Sequence, residues 1–251
     1  MAYYNVYFSP TGGTKKVADV VSKGIANDFV NIDLCKDIEK LSFGKNDVCI
    51  VSVPSFGGRV PAVAVERIKK MSANGAKAVL VCVYGNRAWE DTLTELQDVL
   101  DSVGFVCVSA ICAVAEHSIF RQYATGRPDA DDVTELKQFA QKIKQKLDGD
   151  VFDKLVLEGS HGSYKAYGGS SFKPVANDDC ILCGVCANEC PVGAISCDDL
   201  KGNDKQKCIS CMRCVSVCPV KARDFDPAMI NAVAQKWGQA FEGRKKNYLF
   251  L

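Results

Sequence analysis

The chain has 251 residues, enough for one large and one small domain. A hydrophobic content of 47%, a charged content of 24% and a net charge of +1 are ordinary for a globular protein and exclude a polycationic nucleic-acid binder. No apolar run approaches the roughly 20 residues that span a bilayer, and the start MAYYNVYFSPTGG lacks the basic and apolar regions of a secretory leader, so no membrane span and a cytoplasmic location are expected.

The first half alternates between two patterns. Short apolar runs stand at YYNVYF, FVNIDL, DVCIVSV, AKAVLVCVY and FVCVSAICAV. The later ones are apolar nearly throughout, as in a strand buried on both faces. Between them lie amphipathic segments at Thr14 to Asp28, Pro61 to Ser72, Trp89 to Ser102 and Ala130 to Leu147. The last carries acids in its first turn and lysines in its last, which suits the helix dipole. Strands alternating with helices predict a parallel sheet covered on both sides. Five cysteines (Cys35, Cys49, Cys82, Cys107, Cys112) sit in or beside the apolar runs and are expected as buried free thiols.

From Asp148 to Pro174 the periodicity dissolves into EGSHGSYKAYGGSSFKP, a linker or docking segment rich in Gly and Ser. The other nine of the fourteen cysteines follow, between Cys180 and Cys218. DDCILCGVCANECP and QKCISCMRCVSVCP are near copies, each reading C-x2-C-x2-C-x3-C-P. Zinc sites use paired knuckles, often with His, and match two such runs poorly. A tail follows with a stripe at Met229, Val233, Trp237 and Phe241, the mark of a docked helix starting at Pro227.

The cysteine segment, from about Pro174 to Asp226, resembles the bacterial ferredoxin family. That resemblance implies two [4Fe–4S] clusters with the fourth cysteine of each run crossing over. Cys180, Cys183, Cys186 and Cys218 would hold one, and Cys208, Cys211, Cys214 and Cys190 the other. Cys197 lies outside the pattern.

Three loops sit where the first, third and fourth strands end: YFSPTGGT, VPSFGGRVP and VYGNRAWED. Ligands bind at that edge of an open α/β sheet. The first loop, glycine-rich and opening a helix, suits an anion, yet is neither a P-loop nor G-x-G-x-x-G. Together the loops resemble the flavodoxin family, over about residues 1–150. The resemblance implies a flavodoxin-like doubly wound α/β fold, a parallel five-stranded sheet in the order 2-1-3-4-5, and FMN. By position, Ser9, Thr11, Gly12, Gly13 and Thr14 would hold the phosphate. Pro54, Ser55, Phe56, Gly57 and Gly58 would line one side of the ring, and Tyr84, Gly85, Asn86, Arg87 and Ala88 the other. Arg59 and Arg87 depart from the acidic loops of ordinary flavodoxins. Near the ring they would favour two-electron chemistry; otherwise they are surface ion pairs.

Glu116 and His117 follow the fifth apolar run, which as an edge strand would bring them to the same rim. His117 is either a proton donor to flavin or substrate or a hydrogen-bonded structural residue. His161, in the linker, is expected exposed and inert.

The expected organisation is a flavodoxin-like FMN domain at 1–148, a linker at 149–173, a small α+β two-cluster ferredoxin domain at 174–226 and a C-terminal helix and tail at 227–251. The whole resembles the flavodoxin–ferredoxin fusion proteins of anaerobic bacteria and archaea. That implies an oxidoreductase in which one-electron transfer through the clusters meets FMN, with His117, Arg87 and Arg59 as candidate catalytic residues. Its partners would be a redox protein, ferredoxin or reductase, and a small-molecule substrate, with homodimerisation allowed. The alternatives are a carrier without a substrate and a subunit of a larger redox complex; an exposed Trp237 would favour the subunit.

Overall fold

In the computed structural model, which describes residues 1–149 and 153–251, the first half folds as a doubly wound sheet. Strands β1 (Tyr3–Tyr7), β2 (Val30–Asp33), β3 (Val48–Pro54), β4 (Lys77–Tyr84) and β5 (Val106–Val114) run parallel in the order 2-1-3-4-5. Between them run α1 (Gly13–Ile25), α2 (Ala62–Ile68), α3 (Thr92–Ser102) and, after β5, α4 (Ala130–Leu147). No helix among the described residues is long and apolar enough to cross a membrane.

The strand pleat splits the core into two layers. Val51, Val53, Leu80 and Cys82 face α2 and α3, meeting Ala64, Ile68, Leu96 and Leu100. Ile50, Val79 and Val81 face the other way, onto Val17 and Val21 of α1 and Leu136, Ala140 and Ile143 of α4. A strand covered on both sides has no polar face, which is why β4 reads as one apolar run. The five cysteines of this domain are buried as expected, and burial pushes the Cys35 thiol up to about 12. Helix α1 approaches α4 closely at Gly24, where a Cβ would stand 2.5 Å from that of Ala140. Helix α4 begins at a capping box, with Asp129 accepting from the backbone N–H of Asp132 and Asp132 accepting from that of Asp129.

The sheet has a sixth strand that the sequence pattern does not announce. Tyr248–Phe250 (β6) lies antiparallel on β5, with Tyr248 opposite Cys112 and Phe250 opposite Ala110. β5 is therefore not the edge. Two further groups of β5 are met separately: the Cys107 carbonyl accepts from Leu155 N at 3.0 Å, and the Val114 N–H donates to Asn247 Oδ1 at 2.9 Å. The expected tail at 227–251 thus ends in the first domain. The connecting segment is also no free linker. Its stretch at 150–152 lies outside the described residues, but Leu155 and Leu157 are buried in the layer that holds α3.

The cysteine region carries two one-turn helices, Val185–Asn188 (α5) and Arg213–Ser216 (α6), and a two-strand ladder pairing Val175–Ala176 with Arg223–Asp224. Its two halves repeat their backbone. Leu182 and Ser210, Gly184 and Met212, and Gly193 and Lys221 occupy matching places, and all six have positive φ. Leucine, serine, methionine and lysine rarely adopt that conformation. Both repeats adopt it nonetheless, and the sequence supplies glycine at only two of the six places.

Helix α7 (Pro227–Trp237) follows, then a 3-10 turn at Gly238–Phe241. Met229 and Val233 dock on a cluster formed by Phe120, Phe172, Met212 and Phe241, which draws on both domains. Trp237 departs from the stripe and stays 55% exposed. Two buried or half-buried arginines cross the same junction. Arg67 on α2 donates to Leu34 O at 2.5 Å and to Pro191 O at 2.7 Å. Arg213 on α6 donates to Pro10 O at 3.3 Å in the loop after β1, while held by Glu189.

Candidate functional site

The carboxyl ends of β1, β3 and β4 open onto a cavity of about 580 Å³, within the range of small-molecule and cofactor sites. Its floor is the loop from β1 to α1. Pro10, Thr11, Gly13 and Thr14 line it, at the N-terminus of a thirteen-residue helix. Gly12 makes the turn with φ +90° and does not line the cavity. Ser9 is turned inward, its Oγ accepting the Lys15 N–H at 2.8 Å. It shapes the loop rather than facing the cavity.

The second loop is a tight turn in which Phe56 and Arg59 exchange backbone hydrogen bonds at 2.9 and 3.1 Å. Gly57 and Gly58 fill its centre, both with positive φ, as such turns require. Pro54, Ser55, Phe56, Gly57 and Gly58 all reach the cavity. In the third loop Tyr84, Gly85, Arg87 and Ala88 do so. Asn86 does not: its Nδ2 donates to Phe241 O at 2.5 Å and Gly243 O at 2.8 Å, tying this loop to the tail. Twelve of the fifteen positions expected to hold a cofactor therefore surround one space.

The candidate catalytic residues separate. Arg59 is turned away from the cavity. Glu95 of α3 takes its Nε and Nη2 in a bidentate pair at 2.7 Å each, and Lys165 O takes Nη1. The expectation of a free charge at the ring fails here, because a buried carboxylate on α3 captures the guanidinium. Arg87 does line the cavity but pairs with Glu90 at 2.7 Å, which also takes Lys165 Nζ at 2.8 Å. His117 stands in the wall against Gly85, where a Cβ would come within 2.6 Å of His117 Cδ2. Its Nδ1 accepts the backbone N–H groups of Ile119 and Phe120, both at 3.1 Å. That fixes a neutral ring with its proton on Nε2. Burial first, then the charge of Arg87, holds the imidazole down to about 4. His117 can donate a hydrogen bond, but near neutrality it carries no second proton to give up.

The far wall comes from outside the first domain. Lys165, Ala166, Tyr167 and Gly169 to Phe172 supply one part, and Val233, Trp237 and Phe241 another. Ser210 and Cys211 complete it. No sequence pattern points to the 165–172 part, which arrives by the folding back of an aperiodic segment, whereas Val233, Trp237 and Phe241 come from the C-terminal stripe and Cys211 from the second cysteine run.

The eight cysteines fall into two separate cavities. One is lined by Cys180, Cys183, Cys186 and Cys218, and the other by Cys190, Cys208, Cys211 and Cys214. These are the crossed sets. The backbone N–H of Ala194 donates to Cys190 Sγ at 3.3 Å, and that of Ala222 to Cys218 Sγ at 3.2 Å, the same bond in each repeat. Hydrogen bonds to the ligand sulfurs are among the features that tune iron–sulfur sites. Four thiols around a small void, with amides directed at sulfur, suit an iron–sulfur cluster. Cys183 is exposed and Cys211 buried, so the two cavities differ in access to solvent.

His161 is exposed, as expected, but it has partners. Its ring nitrogens meet Leu157 O at 2.8 Å and Asp98 Oδ1 at 2.6 Å, and Asp98 also takes the N–H of Gly162 and the hydroxyl of Tyr164. The Leu157 carbonyl, then Asp98, raise its pKa. A raised histidine stabilises fully below its unfolded pKa of about 6.5 and loses that contribution as pH rises through the folded value. Protease resistance of the 157–165 segment is expected to fall as pH rises from the unfolded through the folded value. A His161→Asn variant should be cleaved more readily and without that pH dependence.

Residues 179–222 match the 4Fe-4S dicluster domain family. No curated protein matches the chain. Among solved structures, a flavodoxin of Streptococcus pneumoniae TIGR4 is similar at 20% identity, over 58% of this chain and 99% of its own, with a TM-score of 0.43. Flavodoxin 1 of Bacillus cereus is similar at 15% identity, over 58% and 98%, with a TM-score of 0.43. The rubredoxin oxygen:oxidoreductase of Desulfovibrio gigas is similar at 14% identity, over 58% of this chain and 36% of its own, with a TM-score of 0.42. The strand order itself identifies the fold of the first half. One chain thus joins a flavodoxin-like α/β domain to a 4Fe-4S dicluster domain.

Proposed function

We propose that this protein is an electron-transfer oxidoreductase with FMN in the 580 Å³ cavity and a [4Fe–4S] cluster in each cysteine cavity. One observation carries the reading: Cys211 lines both a cysteine cavity and the large one. A cluster held by Cys190, Cys208, Cys211 and Cys214 would be adjacent to the flavin. The other would lie outward, beside exposed Cys183, Ile181 and Leu182, where a redox protein can approach. FMN, when bound, supplies the exchange between one-electron and two-electron carriers.

This chain's own residues provide the rest. The α1 N-terminus with Thr11, Gly13 and Thr14 suits the phosphate. Glycine at 57 and 85 lets the rings of Tyr167 and His117 pack directly on the backbone of the cavity wall. His117 offers its Nε2 proton as a hydrogen bond. Arg87, Lys165 and Glu90 form one linked group, so the cavity presents no unpaired arginine or lysine from these loops. A small, weakly charged substrate fits that wall better than a polyanion.

The test is stepwise anaerobic reduction of reconstituted protein by a reduced low-potential ferredoxin, NADH or NADPH, following cluster and flavin absorbance separately. The ferredoxin is expected to reduce the clusters before the flavin. Flavin bleaching first, or reduction by a nicotinamide without the clusters, would overturn electron entry through the clusters. Protein that holds neither cofactor after reconstitution would end the proposal. A second reading, as a subunit of a larger redox complex, is favoured by the exposure of Trp237 beside the cavity. Co-purification of a stable partner through that face would support it.

A further inference from the structure

We propose that the segment from Tyr164 to Phe172 is a strap over the flavin ring, with the Tyr167 ring as its aromatic cover. The inference rests on the reading of the large cavity as the FMN site. Tyr167 lies directly against the loop after β3. A Cβ on Gly57 would come within 2.3 Å of Tyr167 Cδ2 and Cε2, so glycine at that place is what admits the ring. The tyrosine lines the cavity, remains 40% exposed, and makes no hydrogen bond among the described residues. A flat apolar face left open in a cavity wall is suited to stacking.

The aromatic residues of the two flavin-side loops are committed elsewhere. Tyr84 donates its hydroxyl to Lys246 O at 2.7 Å and packs edge-on against Trp89. Trp89 packs in turn on Tyr248 of β6. Phe56 leans edge-on toward Phe8 in the core. Tyr167 therefore brings from outside the domain a stacking face that those loops spend on their own packing.

The strap is fixed at both ends and to both domains. On one side, Lys165 N donates to Asp91 Oδ2 at 2.6 Å and Lys165 O accepts from Arg59 at 2.7 Å. On the other, Ser210 Oγ donates to Ser170 O at 3.3 Å and Lys173 Nζ donates to Cys208 O. Between them stand Gly168 and Gly169, with open space where a Cβ would be on either, so the chain can bend there. Arg59, misplaced for a role at the ring, gains one here: it anchors the strap. Release of the cofactor would require the strap to lift, and its far anchor lies on the cluster domain.

The test uses the full chain with clusters rebuilt and flavin removed. FMN and riboflavin are titrated separately into wild type, Tyr167→Ala, Tyr167→Phe and Thr14→Val, reading the fluorescence of flavin left free. Loss of the stacking face is expected to raise Kd by about tenfold for Tyr167→Ala. FMN and riboflavin should weaken by the same factor, because the contact is with the ring, and the change should lie mainly in the dissociation rate. Tyr167→Phe keeps the face and should stay within about twofold of wild type. Thr14→Val should weaken FMN only, marking the phosphate end. Wild-type affinity in Tyr167→Ala overturns the strap. So does tighter binding, which would make Tyr167 a competitor for the space, or a loss confined to FMN. Wild type that takes up neither flavin refutes the cavity reading itself, and the strap falls with it.

Discussion

Replacing Cys190 with alanine is expected to remove the inner cluster and leave the outer one. Cys190 belongs in sequence to the first cysteine run, but it lines the cavity of Cys208, Cys211 and Cys214. Were ligation local to each run, the variant would lose the cluster of Cys180, Cys183 and Cys186 instead. Iron content should fall from about eight to about four atoms per chain. The remaining cluster should be the one beside exposed Cys183, still reducible by an external carrier. Reduction of the flavin by that carrier should fall to background, since the cluster nearest the cavity is gone. Cys218→Ala is the mirror experiment: it should spare the inner cluster and close the outer port. Iron analysis with spectroscopy of the reduced clusters distinguishes the two. If Cys190→Ala keeps the inner cluster, the crossed assignment is wrong.

Asp132→Ala is expected to cost about 3–5 kcal/mol, because it strands a buried arginine. Asp132 is 1% exposed at the side chain and takes Arg127 through both oxygens, at 2.8 and 2.5 Å. It also takes Asn247 Nδ2 at 3.0 Å and the Asp129 N–H at 3.0 Å. Through Arg127, which donates to Lys245 O at 2.8 Å, and through Asn247, it holds the return of the tail to the sheet. The melting temperature should drop by roughly 10 °C. Asp132→Asn, which keeps the shape and loses the charge, should fall between. Burial alone would raise this carboxyl, but Arg127, Asn247 and the Asp129 amide outweigh it and leave it lowered. A depressed carboxylate stabilises above its unfolded pKa of about 3.9 and loses that contribution as pH falls through the folded value. The tail should therefore remain attached at pH 4 and detach only in stronger acid. Thermal denaturation followed across pH, in wild type and Asp132→Asn, measures both effects.

What could be read in the sequence was whatever is written locally. Buried strands such as Lys77–Tyr84 and the capped helix Ala130–Leu147 declare themselves by period and by end residues. The cysteine quartets do so by spacing. Three features had no local signature. Strand β6 is three residues long, and its partner lies far back in the sequence. Arg59 sits in a flavin-side loop, and only the fold brings Glu95 to within 2.7 Å of it. The glycine- and serine-rich stretch around Tyr167 has no period, because it is held by single hydrogen bonds to separate elements rather than by a repeating face. His161 belongs with it: it is exposed as the sequence suggests, but its partner Asp98 is brought beside it only by the fold.

The return of Tyr248–Phe250 to the sheet has a consequence for the protein's biogenesis. The five parallel strands emerge from the ribosome before the cysteine segment does, and they can pair at once. The outer side of β5 cannot. Its partners are Leu155, Asn247 and β6, the last two beyond the cysteine loops. Until the tail has come back, which on the proposed function follows the assembly of clusters in those loops, a row of unpaired peptide groups stays open to solvent. Iron starvation would prolong that interval, and an uncovered strand edge is a template for another copy of the same strand. Shortage of the iron proposed for one domain would then be felt as aggregation through the other.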